Sequence, residues 1–249
     1  MEFRVLGPLE VRIDDTPVHL GGRRQQSVLA ALLLNADAPL PRQRLSGMVW
    51  SDPPPSAQAN LRTYLHRLHS ALTDPVKRES RLVLDRCGVT LRADPSEIDL
   101  QVFEDLCTWA AGAHQSGDTS AAAELYSRAL RLWRGAPLEG IDTDTPLYAA
   151  AVKLAERRFA AQLRRWRLLV ELGAYGEAIG ELRAATVENP FREQITELLM
   201  TALYKDHRRW EALQVYSRTR EQMVDSLGLE PGPELRRAHR RILEDDVPV

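Results

Sequence analysis

Alternating apolar and polar positions open the chain. Phe3, Val5, Leu9, Val11 and Ile13 fall between polar neighbours, Gly7-Pro8 breaks the run, and Asp14-Asp15 can turn a hairpin. The first 20 residues are therefore expected to be strands. The period then lengthens to that of a helix. Gly21-Gly22 releases a helix over Arg23 to Leu34, with Val28, Leu29, Leu32 and Leu33 among its apolar positions and Asn35 and Pro39 beyond its end. A second, short helix is predicted from Arg42 to Trp50 on the pattern of Leu45, Met48 and Trp50. Ser51-Asp52-Pro53-Pro54-Pro55 cannot be helical, because consecutive prolines lack N–H donors and push the residue before each toward extended backbone. A third helix starts near Ser56, which can cap it, and runs to about Leu72. Arg81-Leu82-Val83-Leu84 and Val89-Thr90-Leu91-Arg92 read as short strands joined through Asp85-Arg86-Cys87-Gly88, where Gly88 is free to take positive φ. Sheet, three helices and hairpin, in that order, describe a winged helix-turn-helix with an added N-terminal sheet.

From Asp94-Pro95 onward the strand pattern is gone. Helices are predicted near 99–115, 118–133, 146–173, 175–188, 191–206, 208–227 and 233–245. They are separated at Gly117-Asp118, Gly135-Ala136-Pro137, Gly173, Asn189-Pro190 and Gly228 through Pro233. Glu177-Ala178-Ile179 returns as Glu211-Ala212-Leu213, and Leu169 as Leu203, both 34 residues later. That spacing equals the tetratricopeptide period, in which each helix hairpin buries its apolar face only against stacked neighbours. Gly117-Asp118 followed by Ala122 resembles Gly173 followed by Ala178, which places another hairpin upstream. The expected fold is mostly α with a small β component. It comprises a winged helix-turn-helix domain over 1–94 and a tetratricopeptide-like all-α helical-repeat domain over 95–249.

Composition narrows the function. The chain has 249 residues, 44% hydrophobic and 27% charged, enough for two cores and unlike a disordered chain. No run of about 18 apolar residues exists to span a membrane, and the N-terminal stretch has no secretory pattern. Two cysteines, Cys87 and Cys107, cannot build a disulfide framework and suit a cytosolic chain. The net charge of −2 is unevenly spread: 13 basic against 10 acidic residues up to position 94, and 20 against 25 after it. The front is mildly basic and the back acidic.

On a wheel of the third helix, Leu61, Leu65, Leu68 and Leu72 form one stripe that must face a core. The other side shows Ser56, Ala59, Arg62, Thr63, His66, Arg67 and Ser70, and no carboxylate occurs from Ser56 through Thr73. Such a face suits a major groove, where arginine pairs with guanine and a threonine methyl meets a thymine methyl. A plain solvated face has the same composition. The preceding helix, the proline loop and the following hairpin favour DNA. Arg23 and Arg24 open the first helix, where free N–H groups also favour anions, and Arg42 and Arg44 open the second. Arg81 and Arg86 lie on or near the hairpin with Arg92. These arginines are read as phosphate contacts, which hold the duplex without choosing its sequence. Each, taken alone, is also an ordinary surface arginine.

Other chemistries lack their motifs. There is no GxxxxGK[ST] loop, HExxH, CxxC or nucleophile elbow, and the six histidines have no tight metal-ligand spacing. His66 and His69 stand three residues apart, a spacing open to a metal, but on this helix they read better as base or phosphate contacts. Cys87 in the hairpin turn reads as an incidental thiol or a redox switch. Trp109, Trp133, Trp166 and Trp210 are expected in the core and groove walls of the second half. Arg157-Arg158, Arg164-Arg165 and Arg236-Arg237 with Arg240-Arg241 are expected to be mainly solvated helix faces. No enzyme activity, cofactor or metal is expected.

Seven stretches in order carry a resemblance over nearly the whole chain. They are FRVLGPLEV, GGRRQQSVLAALLLN, RLSGMVW and SAQANLRTYLHRLHSAL in the first half. GDTSAAAELYSRALRLWRGAPL, NPFREQITELLMTALYKDHRRWEALQVYSRTREQM and LGLEPGPELRRAHRRIL follow. The chain resembles the Streptomyces antibiotic regulatory protein family. The resemblance implies an OmpR-type winged helix joined to a bacterial transcriptional activation domain. It also implies an activator of a secondary-metabolite gene cluster that binds promoter direct repeats as a homodimer and recruits RNA polymerase holoenzyme. By position, the recognition helix is Ser56 to Leu72, with Arg62, Thr63, His66, Arg67 and Ser70 at bases and His69 at phosphate. The loop Ser51, Asp52, Pro53, Pro54, Pro55 corresponds to the one that approaches polymerase. Two positions depart from the family pattern: His69-Ser70 stands where more arginine is usual, lowering the positive charge, and Asp14-Asp15 where a glycine is common. No receiver domain precedes residue 1 in this sequence, so phosphorylation of an aspartate within it is not expected. The expected location is the cytoplasm, at the nucleoid. The competing reading is a tetratricopeptide-like adaptor whose winged helix has lost DNA affinity.

Overall fold

A computed structural model describes residues 1–74, 78–142 and 144–245. Residues 75–77, 143 and 246–249, which fall inside the two assigned domains, lie outside that description. The fold is mostly α with small antiparallel sheets, in the expected order. Strands β1 (Glu2–Arg4), β2 (Glu10–Ile13) and β3 (Thr16–Pro17) form one sheet in sequence order. Phe3 pairs with Val11, and both are fully buried, so the alternation read from the sequence turns one face inward. Asp14 and Asp15 make the β2–β3 turn with φ of 47° and 63°. Aspartate tolerates this left-handed conformation better than most side chains.

Three helices follow: α1 (Arg23–Leu33), α2 (Arg42–Val49) and α3 (Ala57–Ala71). The hairpin of β4 (Leu82–Leu84) and β5 (Val89–Leu91) completes the winged helix. β5 also pairs with the segment between α1 and α2, since Leu40 N–H donates to the Val89 carbonyl at 2.9 Å and Val89 N–H to that of Leu40 at 3.0 Å. This close approach demands glycine next door: Gly88 has φ of +145°, and a Cβ there would stand 2.3 Å from the Leu40 carbonyl oxygen. Ser56 sits at the start of α3 but its side chain caps no backbone N–H. It accepts a hydrogen bond from Asn60 Nδ2 at 3.2 Å instead. Its helical φ of −84° and ψ of −1° are not the extended backbone from which a serine reaches the first turn.

The remaining helices are α4 (Asp99–Gln115), α5 (Thr119–Arg131), α6 (Pro146–Glu171), α7 (Tyr175–Glu188), α8 (Glu193–Lys205), α9 (Arg209–Leu227) and α10 (Pro233–Glu244). The chain divides into two compact units. One holds Met1–Trp109 with Ser127–Ala160, and the other holds Ala110–Tyr126 with Ala161 onward.

In the first unit, backbone beyond residue 94 returns to the connection between β1 and β2. Arg134, Leu138 and Glu139 N–H groups donate to the carbonyls of Leu6, Val5 and Gly7. The Asp99 carboxylate accepts from Val5 N–H at 2.8 Å and Leu6 N–H at 3.0 Å. Burial raises the pKa of Asp99, while those two N–H groups and Arg134 pull it back down. Trp133 meets Phe103 edge to face at 5.3 Å, and the Arg158 guanidinium lies over its ring.

In the second unit, α7, α8 and α9 stack as neighbours, and α10 packs on α8 and α9. The repeated Glu-Ala pair has a physical role. Ala178 and Ala212 are fully buried, and both glutamates hold arginines: Glu177 holds Arg165, and Glu211 holds Arg183 at 2.6 Å and Arg208 at 2.8 Å. Those arginine bonds keep the Glu211 carboxyl at about 2, well below its usual value. Trp166 is buried and donates to Glu181 at 2.8 Å. Trp133 and Trp166 are thus core residues, but Trp109 is 59% and Trp210 68% exposed, contrary to the expectation of four core or groove-wall tryptophans. Their positions fit a helical period, but the period alone does not say which side of a helix another element covers.

Two stability measurements check these contacts. Asp99→Ala leaves the N–H groups of Val5 and Leu6, just past β1, unpaired and is expected to cost about 1–3 kcal/mol by chemical denaturation. Ala212→Leu overfills a closed helix crossing and is expected to cost about 1–3 kcal/mol. A neutral result for either removes that contact from the account.

Candidate nucleic-acid interface

The winged helix positions its side chains from the inside outward. In α3, Leu61, Leu65, Leu68 and Leu72 are at most 2% exposed. Trp50, just past α2, stacks with Tyr64 of α3 at 6.4 Å between ring centroids. Rotation of α3 about its own axis is therefore closed off, since any turn would pull leucines into water at about 1.5–3 kcal/mol each. Arg62, Thr63, His66, Arg67, His69 and Ser70 are left exposed on the other side. Ala59, Thr63, His66 and Ser70 occupy the middle of this face, with Arg62 and Arg67 on its two flanks.

Hydrogen bonds refine what the face offers. Thr63 Oγ1 donates to the Ala59 carbonyl at 3.1 Å and Ser70 Oγ to that of His66 at 3.2 Å. These hydroxyls therefore present acceptor lone pairs, and Thr63 its methyl, rather than a free donor. Among the described residues, Arg62 and Arg67 have no ion pair. Their guanidinium groups keep all their donors for a ligand. Arg62 also lines a cleft of about 60 Å³ with Arg42, Gln58, Leu61, Leu65 and Leu84. Gln58 was not singled out in the sequence. It lies one turn before Arg62, at the edge of the leucine stripe, and a glutamine amide can pair with adenine.

The phosphate candidates separate into two groups. Arg42, Arg44 and Arg86 are exposed, Arg86 at the hairpin tip, where Asp85 Oδ1 accepts from the N–H groups of Cys87 and Gly88. Arg23 is exposed and reaches Asp142 at 3.9 Å. Arg24 and Arg81 are more engaged. Arg24 donates to the Val49 carbonyl at 2.8 Å and pairs with Asp142 at 3.3 Å. Arg81 donates to Glu97 at 2.5 Å. The sequence offered no sign of these partners, because both carboxylates lie beyond the hairpin. The loop Ser51 to Pro55 is exposed throughout, and Ser51 Oγ donates to the Asp144 carbonyl. Among the described residues no cluster of His, Cys, Asp and Glu is placed to hold a metal, and no helix is long and apolar enough to cross a membrane.

Known proteins share this architecture. The bacterial transcriptional activator domain matches residues 98–243. The regulatory protein AfsR of Streptomyces coelicolor is 37% identical over 99% of this chain, which spans 24% of AfsR. The transcriptional regulator RedD of the same organism is 30% identical, again over 99% of this chain and 71% of its own. The structure of Mycobacterium tuberculosis EmbR, solved in complex with a low-affinity phosphopeptide, superposes with a TM-score of 0.91 at 32% identity. It covers all of this chain and 66% of EmbR. The chain thus spans only part of its longer relatives. With the domain match, the likeness along nearly all of this sequence and the shared winged-helix architecture in agreement, the chain belongs to the Streptomyces antibiotic regulatory protein family of transcriptional activators, which are not enzymes.

Proposed function

We propose that this chain is a sequence-specific DNA-binding activator of a secondary-metabolite gene cluster. Residues 1–94 are its DNA-binding domain and 95–249 its activation domain. One observation carries the reading: a carboxylate-free, exposed face of α3, locked outward by buried leucines and flanked by two arginines without partners among the described residues. Arg62, Thr63, His66, Arg67 and Ser70 read base edges in the major groove, and Gln58 joins them. Arg23, Arg42, Arg44, His69 and Arg86 hold phosphates, while Arg24 and Arg81 do so only after giving up Asp142 and Glu97. Two protomers bind head to tail on direct repeats, with their recognition helices about 10–10.5 base pairs apart. The exposed Ser51–Pro55 loop and the helical repeats face RNA polymerase holoenzyme, which the bound pair recruits. The protein works in the cytoplasm, at the nucleoid.

Arg62→Ala and Arg67→Ala test the base readers. Each is expected to abolish footprinting on the chain's own upstream intergenic DNA while leaving the circular dichroism spectrum unchanged, since both side chains are exposed. Loss of an arginine–guanine pair costs about 1–3 kcal/mol of discrimination. Arg86→Ala is expected to weaken specific and random duplexes alike and to reduce the salt slope by about one. Unchanged footprints from both α3 variants would refute the reading and leave the adaptor.

A further inference from the structure

Two of the arginines assigned to phosphates already share one anion. Asp142 Oδ2 stands 3.3 Å from Arg24 Nη2, and Asp142 Oδ1 stands 3.9 Å from Arg23 Nη1. α1 supplies no anion of its own, having no acidic residue in its first turn and no side-chain cap at Gly22. The carboxylate comes instead from a segment far along the chain. That segment is shaped to deliver it: the Asp142 carbonyl accepts from Thr145 N–H at 3.3 Å and from Thr145 Oγ1 at 2.8 Å, and Thr145 is buried. Two residues on, the Asp144 carbonyl accepts from Ser51 Oγ in the α2–α3 loop. The segment therefore touches the helix-turn-helix at two points, the start of α1 and the loop before α3.

We propose that Asp142 occupies the place of a DNA backbone phosphate, so that this segment is a built-in brake on DNA binding, released when a duplex displaces the carboxylate. The inference rests on the DNA-binding reading of α3 and adds its regulation. Carboxylate and phosphate are both oxyanions that a guanidinium fork accepts, and one pair of arginines cannot serve both. The Arg23 side chain is 76% exposed, so its share of the pairing is weak and open to a polyanion. Arg24 keeps its bond to the Val49 carbonyl at 2.8 Å when Asp142 leaves, so its charged head stays in place to receive a phosphate.

Asp142→Asn tests the brake by fluorescence anisotropy on two duplexes, the chain's own upstream intergenic DNA and a random sequence of equal length, at two salt concentrations. Asp144→Asn makes the same charge change two residues away, on a carboxylate with no ion pair among the described residues. Asp142→Asn is expected to tighten binding to both duplexes by about 3–10-fold at low salt and to steepen the salt dependence by about one phosphate. Asp144→Asn is expected to change affinity by less than about twofold, and the gain from Asp142→Asn should vanish in a background carrying both Arg23→Ala and Arg24→Ala. Equal effects of the two asparagine variants, or a gain that survives the loss of both Arg23 and Arg24, overturn the brake. The random duplex reads phosphate contact without the α3 readers, so a failure of Arg62→Ala to matter would sink sequence reading while leaving this comparison decisive. Binding of neither duplex by wild type or Asp142→Asn overturns both.

Discussion

Burial of four leucines on one side of α3 decides what its other side can do. Leu61, Leu65, Leu68 and Leu72 are essentially without solvent contact, and each holds about 1.5–3 kcal/mol against exposure. Their spacing fixes the rotation of the helix. Everything proposed for DNA follows from that rotation: the small residues and hydroxyls in the middle of the outward face, the arginines at its flanks, and the cleft shared with Arg42 and Gln58. The Trp50–Tyr64 stack adds a second restraint on the same axis. Pairing of Leu40 with Val89 then ties the wing to the segment that precedes α2.

The electrostatics complement this packing. Carboxylates from beyond the hairpin are directed at arginines and backbone of the N-terminal region. Asp99 closes the edge of Val5 and Leu6, Glu97 holds Arg81, and Asp142 approaches Arg23 and Arg24. A basic front and an acidic back in sequence thus become, within one compact unit, paired charges with a few arginines left over. Those left over include Arg62 and Arg67 on α3, where a ligand is proposed. Surface pairs of this kind contribute little to stability, and their value lies in which arginines they leave available.

Much of the architecture was legible because it rests on local signals. The helix limits read from Gly, Pro and Asn punctuation fall within about two residues of those in the structure for nearly every helix. The 34-residue echo of Glu-Ala located buried helix crossings at Ala178 and Ala212. What was not legible depends on residues distant in sequence. The return of Arg134, Leu138 and Glu139 to the connection between β1 and β2 has no periodic signature. Nor does the pairing of Arg24 with Asp142 or of Arg81 with Glu97, so the sequence alone reads those arginines as phosphate contacts without showing the carboxylates they already hold. Ser56 has the residue type of a cap but not the backbone angles for one. Trp109 and Trp210 have helical spacing, yet both stay more than half exposed, and hydrophobicity alone could not reveal that. For the proposed site, the leucine pattern located the face. Gln58 escaped notice because it lies at the stripe's edge, where a helical wheel separates inside from outside least sharply.

The most direct test compares thiol reactivity on the two sides of α3, in a background where Cys87 and Cys107 are replaced by serine. A cysteine at Thr63 should alkylate quickly in the free protein and become protected when the upstream duplex is added. A cysteine at Leu65 should react slowly in both states. Duplex that binds while leaving the position-63 thiol as reactive as before, or a position-65 thiol as fast as that at 63, would contradict the orientation on which the account stands.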